Sequence, residues 1–504
     1  MRLTDRIDLA LGRGLTLGNL MERVAAVHPG RRLVTDGDTL EELTTTEAAG
    51  RIDRWAGAIV ERTRPGDRVV IDLPNGYDLF LLTLAASRAG RIPAPVNAQM
   101  TRSEVEHVVV DSGATLVVRS LDDLGPEDEQ QPLGAAADAD PKSVAALFYT
   151  SGTTGQPKGA ELTHVGLIGG LAAAAALPSE VRRDELVLAL PLAHIFGFAM
   201  AVGAACAAIP VCFLPKFHPV DVLDAIEGRR ATVFAGVPAM YRMLEEAGAD
   251  DRDLTCVRLW ISGADAMPAD LARRFKRRGA SATLPIIGPV GEAVFAEGYG
   301  MVETAGGVAI RVSPPMLPAS LGGSVGMPLP GVRFKVVDED GQEVPLGAVG
   351  ELWLTGPGVL KGYHGSPEAT AGALTDDGWL RTGDLARRGP LGIVNFEGRI
   401  KDVIKRGGYS VYAVEVEQAL EEHPAVLEAA VVPVPDERDG EVPVAAVRLE
   451  PGQTVASTDL AAWAADRLAR YKVPVRFVAV DELPRTGTNK VQRRLVVDLV
   501  TAAG

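Results

Sequence analysis

The strongest constraint on this chain is an alternation of short apolar runs with helix-patterned segments. From residue 67, RVVIDLP reads as a buried strand and YDLFLLTLAASRAG as a helix stopped by Gly90. RIPAPVN reads as extended chain, TRSEVEHVVVDSG as a helix capped by Thr101, and ATLVVRS as the next strand. Strands linked through helices in this way become parallel neighbours with right-handed crossovers. Three later apolar runs, ELVLALP, ATVFAG and VRLWISG, break near His194, at Gly236 and at Gly263. Ligands of open parallel sheets sit beyond the carboxyl ends of the strands, so these breaks form the expected floor of a pocket.

The texture changes at about residue 326. VRFKVVDEDGQEVPLGAVGELWLTG alternates around an Asp-Gly turn and reads as antiparallel β. The charged, glycine-bearing junction GRIKDVIKRGG follows, and then a short α/β unit. Val416, Ala419, Leu420 and His423 mark one helix face; Leu460, Trp463, Ala464, Arg467 and Leu468 mark another, with Ser457 or Thr458 as its cap. The expected fold class is α/β. Residues 1–399 form a large domain of parallel-rich sheets with helices and a β-rich part from about 326. Residues 400–504 form a small α+β domain.

At 504 residues the chain is too long for one core. A net charge of −15 argues against nucleic acid as the main partner, because phosphate binding needs clustered Lys and Arg. Cys206, Cys212 and Cys256 form no CxxC pair, which excludes a disulfide framework and suits a reducing, cytoplasmic location. The N-terminus lacks the uninterrupted apolar core of a signal peptide. Residues 195–214 are uncharged and about long enough for a membrane span. They are rich in Ala and Gly and broken by Pro210, so they read as a buried helix followed by a buried strand. No transmembrane segment is expected. Peripheral contact with a membrane stays open, as does the choice between monomer and homodimer.

The stretch YTSGTTGQPKG, residues 149–159, concentrates hydroxyls and glycines ahead of a lysine. It is not a Walker A loop, since Gly-Lys-Ser/Thr is absent. Its glycines let backbone approach a ligand, its N–H and hydroxyl groups can donate to oxyanions, and Lys158 carries a compact charge. Taken alone it fits either a polar linker or a phosphate loop. Likewise His194, between LPLA and IFGF, fits either a core position or a ligand pocket, and His164 in ELTH reads as structural.

The ordered set YTSGTTGQPKG, EGYGMVET, WLRTGD, EGRIKDVIKRGG and PRTGTNK resembles the adenylate-forming family. That family includes acyl-CoA synthetases, firefly-type luciferases and the adenylation domains of peptide synthetases. The resemblance spans nearly the whole chain. It implies a mobile C-terminal domain, with ATP, coenzyme A and a carboxylic acid as substrates and Mg²⁺ as cofactor. Carried over position by position, Thr150, Ser151, Gly152, Thr153, Thr154, Gly155 and Lys158 would hold the pyrophosphate side of ATP. Tyr299 would lie along adenine, Glu303 would hold Mg²⁺, and Gly263, Ala264, Gly300 and Thr304 would complete the nucleotide site. Asp384 and Arg399 would meet the ribose, Lys490 would be the catalytic lysine, and Glu303 and His194 would be the other catalytic residues, His194 at the carboxylate end of the acyl pocket. Lys401 would be the hinge, with Gly407, Gly408 and Tyr409 on the pantetheine channel. His194, Phe196, Gly197, Gly236 and Val237 would line the acyl pocket.

The implied reaction is that of an ATP-dependent acyl-CoA synthetase. Apolar pocket segments favour a medium- or long-chain fatty acid. Alternatives are a ligase that passes acyl-AMP to a carrier protein, a ligase for aromatic or other acids, a luciferase-like oxidase, and a weakly active or non-catalytic relative. No carrier domain is expected after NKVQRR, and Gly298 leaves no Arg before Tyr299 for a malonate-type acid. Three features depart from the family pattern. Val302 stands where a Thr is usual, with Thr304 as a substitute for its hydroxyl. Asn489 replaces a Gly. GASATLPIIGPVGE, residues 279–292, is longer than the usual connection and is expected to reshape the acyl pocket or its entrance.

Overall fold

A computed structural model describes residues 3–150, 156–177, 182–284, 286–315, 324–389, 393–485 and 491–502. It divides into two compact units. The first comprises Met1–Leu321, Gly326–Arg333 and Thr355–Leu380, and the second Gly322–Val325, Phe334–Leu354 and Arg381–Gly504. The expected boundary at 399/400 falls inside the second unit.

In the first unit, strands Ile92–Pro95, Arg68–Ile71 and Leu116–Val118 form a parallel sheet in that order. The helices between them are Tyr77–Arg88 and Arg102–Ser112. Thr101 and Glu104 form a reciprocal capping box at the start of the second, and Gly113 ends it in the left-handed region at φ 59°. The larger sheet of this unit runs Ser324–Pro328, Gly306–Ser313, Val294–Met301, Leu259–Gly263, Val233–Gly236, Leu186–Leu188, Val211–Phe213, Arg32–Asp36, Glu42–Thr44. Its central strands are parallel. Gly236 pairs in register with Ser262, and Gly263 with Gly298, so the carboxyl ends lie level.

Below these ends, Phe234, Tyr241, Trp260 and Phe275 pack edge-to-face with ring centroids 4.9–6.1 Å apart. The buried Tyr241 hydroxyl donates to the Ile261 carbonyl at 2.7 Å, which satisfies the one polar atom of that side chain. The uncharged segment folds as read, into helix Ile195–Cys206 and strand Val211–Phe213, both buried. Among the described residues, no helix is long and apolar enough to cross a membrane. The three thiols are free and buried.

The long connection forms a β-hairpin, Ala282–Leu284 with Gly288–Val290. It leaves from the amino ends of the parallel strands, since Val294 pairs with Leu259 and the Ala280 N–H donates to the Val257 carbonyl. The expected effect on the acyl pocket is therefore corrected. A strand of this length places the hairpin roughly 15 Å from the carboxyl ends at Gly263.

The second unit holds strands Arg333–Val337, Val349–Thr355, Leu380–Arg388 and Val394–Arg399 in sheet order. A further sheet runs Tyr409–Tyr412, Val403–Arg406, Gly440–Leu449, Val426–Asp436, with Arg476–Ala479 parallel to Gly440–Leu449. Helices Ala413–Glu421 and Ser457–Arg467 pack one face of it with Val416, Leu420, Leu460 and Ala464. The expected hydroxyl cap is absent. Ala456 occupies the N-cap position, so Ser457 and Thr458 already lie within the helix. The Trp463 indole instead donates to the Ala419 carbonyl at 2.8 Å and ties the two helices together.

Candidate active site

The hydroxyl-rich stretch joins the antiparallel strands Val144–Tyr149 and Gly159–Thr163. Thr150 donates its N–H to the Lys158 carbonyl at 3.0 Å and closes the base of the loop. Ser151, Gly152, Thr153, Thr154 and Gly155 lie outside the described residues. Lys158 is exposed, with Nζ 5.4 Å from the centroid of the Tyr363 ring.

The second motif begins where strand Val294–Met301 turns through Val302–Thr304 into Gly306–Ser313. Gly300 is required here, because a Cβ would stand 1.9 Å from the Gly306 carbonyl oxygen. The Thr304 hydroxyl, only 2% exposed as a residue, accepts from the Met301 N–H at 3.0 Å and donates to the Gly306 carbonyl at 2.7 Å. Its assignment to the nucleotide, and as a substitute for the hydroxyl missing at Val302, is thus corrected: the turn itself consumes that group. Glu303 is half-buried, and one carboxylate oxygen accepts from the Tyr363 hydroxyl at 2.8 Å.

Tyr363 was not singled out from sequence, yet it joins the two motifs. The segment carrying it forms a strap. Lys361 N–H donates to Glu161 O at 2.9 Å, Glu161 N–H to Gly362 O at 2.9 Å, and His364 N–H to Gly159 O at 2.8 Å. Leu360 N–H reaches the Glu303 carbonyl at 2.8 Å, and a Cβ on Gly358 would stand 2.5 Å from the Thr304 carbonyl oxygen. Burial, reinforced by the Glu303 charge, holds the Tyr363 phenol in its protonated form. The only sequence signal is an aromatic between glycines, ahead of a helix that starts at Pro367.

These positions fit a magnesium nucleotide. Glu303 is a hard oxygen donor, and among the described residues its second carboxylate oxygen has no hydrogen-bond partner. Mg²⁺ is commonly held by one or two carboxylates together with substrate phosphates rather than by a protein cage.

At the floor, His194 occupies the N-cap of helix Ile195–Cys206, its Nδ1 accepting from the Phe196 N–H at 3.3 Å. Gly197 packs so closely that a Cβ would meet the Pro191 carbonyl oxygen at 2.2 Å. This brings the Phe196 ring within 3.2 Å of where a Gly263 Cβ would stand. Ala264 follows in the left-handed region at φ 68°. Gly236 abuts the Met240 sulfur, and Val237 is buried at the next helix start. Tyr299 is half-buried, next to Gly298 in its strand. The structure therefore brings Phe196 and Gly263 together, and separately links Lys158 with Glu303 through Tyr363.

In the second unit, Asp384 is buried and pairs with the Arg399 Nε at 3.1 Å. Its N–H donates to the Thr382 hydroxyl at 3.0 Å. Burial, with Arg399 alongside, lowers the pKa of Lys401. Gly407 and Gly408 form a left-handed turn at φ 54° and 84°, and Tyr409 stacks on Tyr471 at 4.7 Å. Lys490 lies outside the described residues.

Comparison with known proteins gives the family. The model for the AMP-binding enzyme family matches residues 21–364, and that for the AMP-binding enzyme C-terminal domain matches residues 415–490. A feruloyl-CoA synthase from Amycolatopsis sp is 35% identical, over 95% of this chain and 98% of its own. A fatty acid–[acyl-carrier-protein] ligase, ScoC from Streptomyces coeruleorubidus, is also 35% identical, over 86% and 87%. The ATP-bound structure of MatB from Rhodopseudomonas palustris is similar at a TM-score of 0.82, with 31% identity over 96% of this chain and 99% of that one. The chain belongs to the AMP-binding, adenylate-forming enzyme family and is an acid–thiol ligase of the acyl-CoA synthetase type.

Proposed function

We propose that this ligase activates a medium- or long-chain fatty acid and transfers it to coenzyme A. The observation that carries the substrate reading is the level set of glycine strand ends, Gly236, Gly263 and Gly298, next to Phe196 and Val237. Such a floor offers apolar contact from the Phe196 ring at Gly263 and the Met240 sulfur at Gly236, with room at Gly298, and no charged side chain stands among those five positions. A polar acid would leave its far end without partners.

In the first half-reaction the acid's carboxylate oxygen attacks the α-phosphorus, and the bond to pyrophosphate breaks. Lys158 and the donors of residues 150–155 hold the departing phosphates. Glu303 would hold Mg²⁺, which neutralises phosphate charge when bound, and Tyr363 keeps that carboxylate in place. Asp384 and Arg399 bind the ribose hydroxyls. Lys490 supplies positive charge where the transition state is more anionic than the ground state. In the second half-reaction the coenzyme A thiol loses its proton and attacks the acyl carbonyl. The thioester bond forms and AMP departs. Gly407, Gly408 and Tyr409 line the path of the pantetheine arm, and Lys401 is the pivot between the half-reactions. The buried thiols suit a cytoplasmic home.

A second reading is an aromatic acid. It is favoured by the Phe196 ring lying against Gly263, which suits a flat acyl group, and by the similarity to feruloyl-CoA synthase.

Incubation with Mg-ATP and a panel of saturated fatty acids and cinnamate-type acids, with and without coenzyme A, separates these readings. Pyrophosphate release and acyl-CoA formation that rise with chain length support the first. Preference for the aromatic acids supports the second. Adenylation that stalls at acyl-AMP despite coenzyme A points to a carrier protein as acceptor. No AMP with any acid overturns the catalytic reading.

A further inference from the structure

The hairpin at the amino ends of the parallel strands takes no part in this chemistry. Residues 280–291, ASATLPIIGPVG, contain no charged side chain. Strands Ala282–Leu284 and Gly288–Val290 pair antiparallel, and the turn between them presents Ile286 at 106% and Ile287 at 72% relative exposure. Leu284 and Val290 are also exposed. Large aliphatic side chains presented together in this way are candidates for a small contact site. Ile286 adopts φ 73°, a left-handed conformation that a β-branched residue rarely takes. Backbone strain of this kind persists where it serves an arrangement of side chains.

The geometry favours lipid over protein as occupant. A stable dimer buries about 800 Å² on each partner, whereas four aliphatic side chains on a two-stranded finger offer a few hundred at most. A bilayer needs no matching surface, only apolar side chains and few unsatisfied backbone donors. Pro289 lacks an N–H, and strands Ala282–Leu284 and Gly288–Val290 pair with each other. Helix Ala269–Arg278, which leads into the hairpin, presents Arg277 to solvent, whereas Lys276 turns inward to Ser313 Oγ and the Pro314 carbonyl and offsets the Glu292 carboxylate at 3.6 Å on the hairpin's other leg. A cation at the base of an apolar finger suits the headgroup level of a membrane.

We propose that this hairpin inserts its tip into the interfacial layer of a lipid bilayer, with Ile286 and Ile287 as the anchors. The proposal goes beyond the ligase reading and does not depend on it.

The test is co-sedimentation of the full chain with phosphatidylcholine vesicles, and with the same vesicles doped with phosphatidylglycerol. Wild type is expected to pellet with both. The double variant Ile286→Ser/Ile287→Ser should partition at least about tenfold less, with an unchanged melting temperature and unchanged acid-dependent pyrophosphate release. Wild type that stays in the supernatant with both vesicles overturns the proposal, as does equal binding by the double variant. A wild-type dimer that the double variant converts to monomer without lipid assigns the tip to a second copy and also overturns it. Ile287→Trp gives a second readout. Its emission should shift to the blue only when vesicles are added, and a blue-shifted emission beforehand would mean that protein already covers the tip.

Discussion

The Tyr363 hydroxyl donates to Glu303 at 2.8 Å while its ring lies 5.4 Å from Lys158 Nζ, so a single side chain sets the spacing between the two charges proposed to hold the phosphates and Mg²⁺. Tyr363→Phe keeps the ring and deletes one hydrogen bond to a charged acceptor, which contributes ~1.5–3 kcal/mol. The expected result is a roughly 10- to 100-fold fall in kcat/KM for Mg-ATP, a steeper requirement for Mg²⁺ and a nearly unchanged melting temperature. Pyrophosphate release measured across a Mg²⁺ titration checks this, and an unaltered Mg²⁺ dependence would remove Tyr363 from the site. At this scale the motifs disclosed identities but not directions. Glu303 and Lys158 could be proposed from sequence because their chemistry is local. Thr304 was misread because its hydroxyl faces the carbonyls of its own turn. Tyr363 was missed because its link to Glu303 spans 60 residues and depends on the path of the strap.

At the start of helix His164–Ala172 one neutral imidazole ties down a distant segment of the chain. The buried His164 accepts the Leu17 N–H on Nδ1 at 3.0 Å, across 147 residues of sequence. Burial lowers its pKa to about 4, against the opposing pull of Asp140. Between that value and the ordinary 6.5, the unfolded chain binds the extra proton and the folded chain does not. Stability from this contact is therefore complete above pH 6.5 and falls as pH drops toward 4, by about 2 kcal/mol between pH 7 and 5. His164→Asn keeps an acceptor near Nδ1 without a titrating group. Denaturant melts at pH 7 and pH 5 should show a smaller loss for the variant than for wild type, and equal losses would place the acid sensitivity elsewhere. Elements with local start and stop chemistry, such as the helix between Thr101 and Gly113, were legible in full. The Ser457 cap was not, because the neighbouring Ala456 takes the N-cap conformation instead. The hairpin of residues 282–290 was visible as extra length, but its placement at the amino ends follows from strand register, which no local pattern encodes.

At the scale of the whole chain, five motifs in fixed order carried the reaction class, whereas the strand ends proposed to choose the acid are drawn from distant parts of the sequence and brought level only by the sheet. The same order predicts that the two half-reactions depend on different residues. Lys490 belongs to adenylation in this reading, and Gly408 to thioester formation. Gly408 has φ 84° and open space where a Cβ would stand, so alanine fits there at about 1–2 kcal/mol of backbone strain and the unit stays folded. Lys490→Ala should abolish acid-dependent pyrophosphate release yet still convert supplied acyl-AMP and coenzyme A to thioester. Gly408→Ala should release pyrophosphate at close to the wild-type rate in a single turnover, then form thioester at least tenfold more slowly, because a methyl group narrows the pantetheine path. Rapid-quench measurement of acyl-AMP and acyl-CoA in both variants decides the matter. If each substitution slows both steps by the same factor, the residues act on a shared rate-limiting motion, and the division of labour assigned to Lys490 and Gly408 fails.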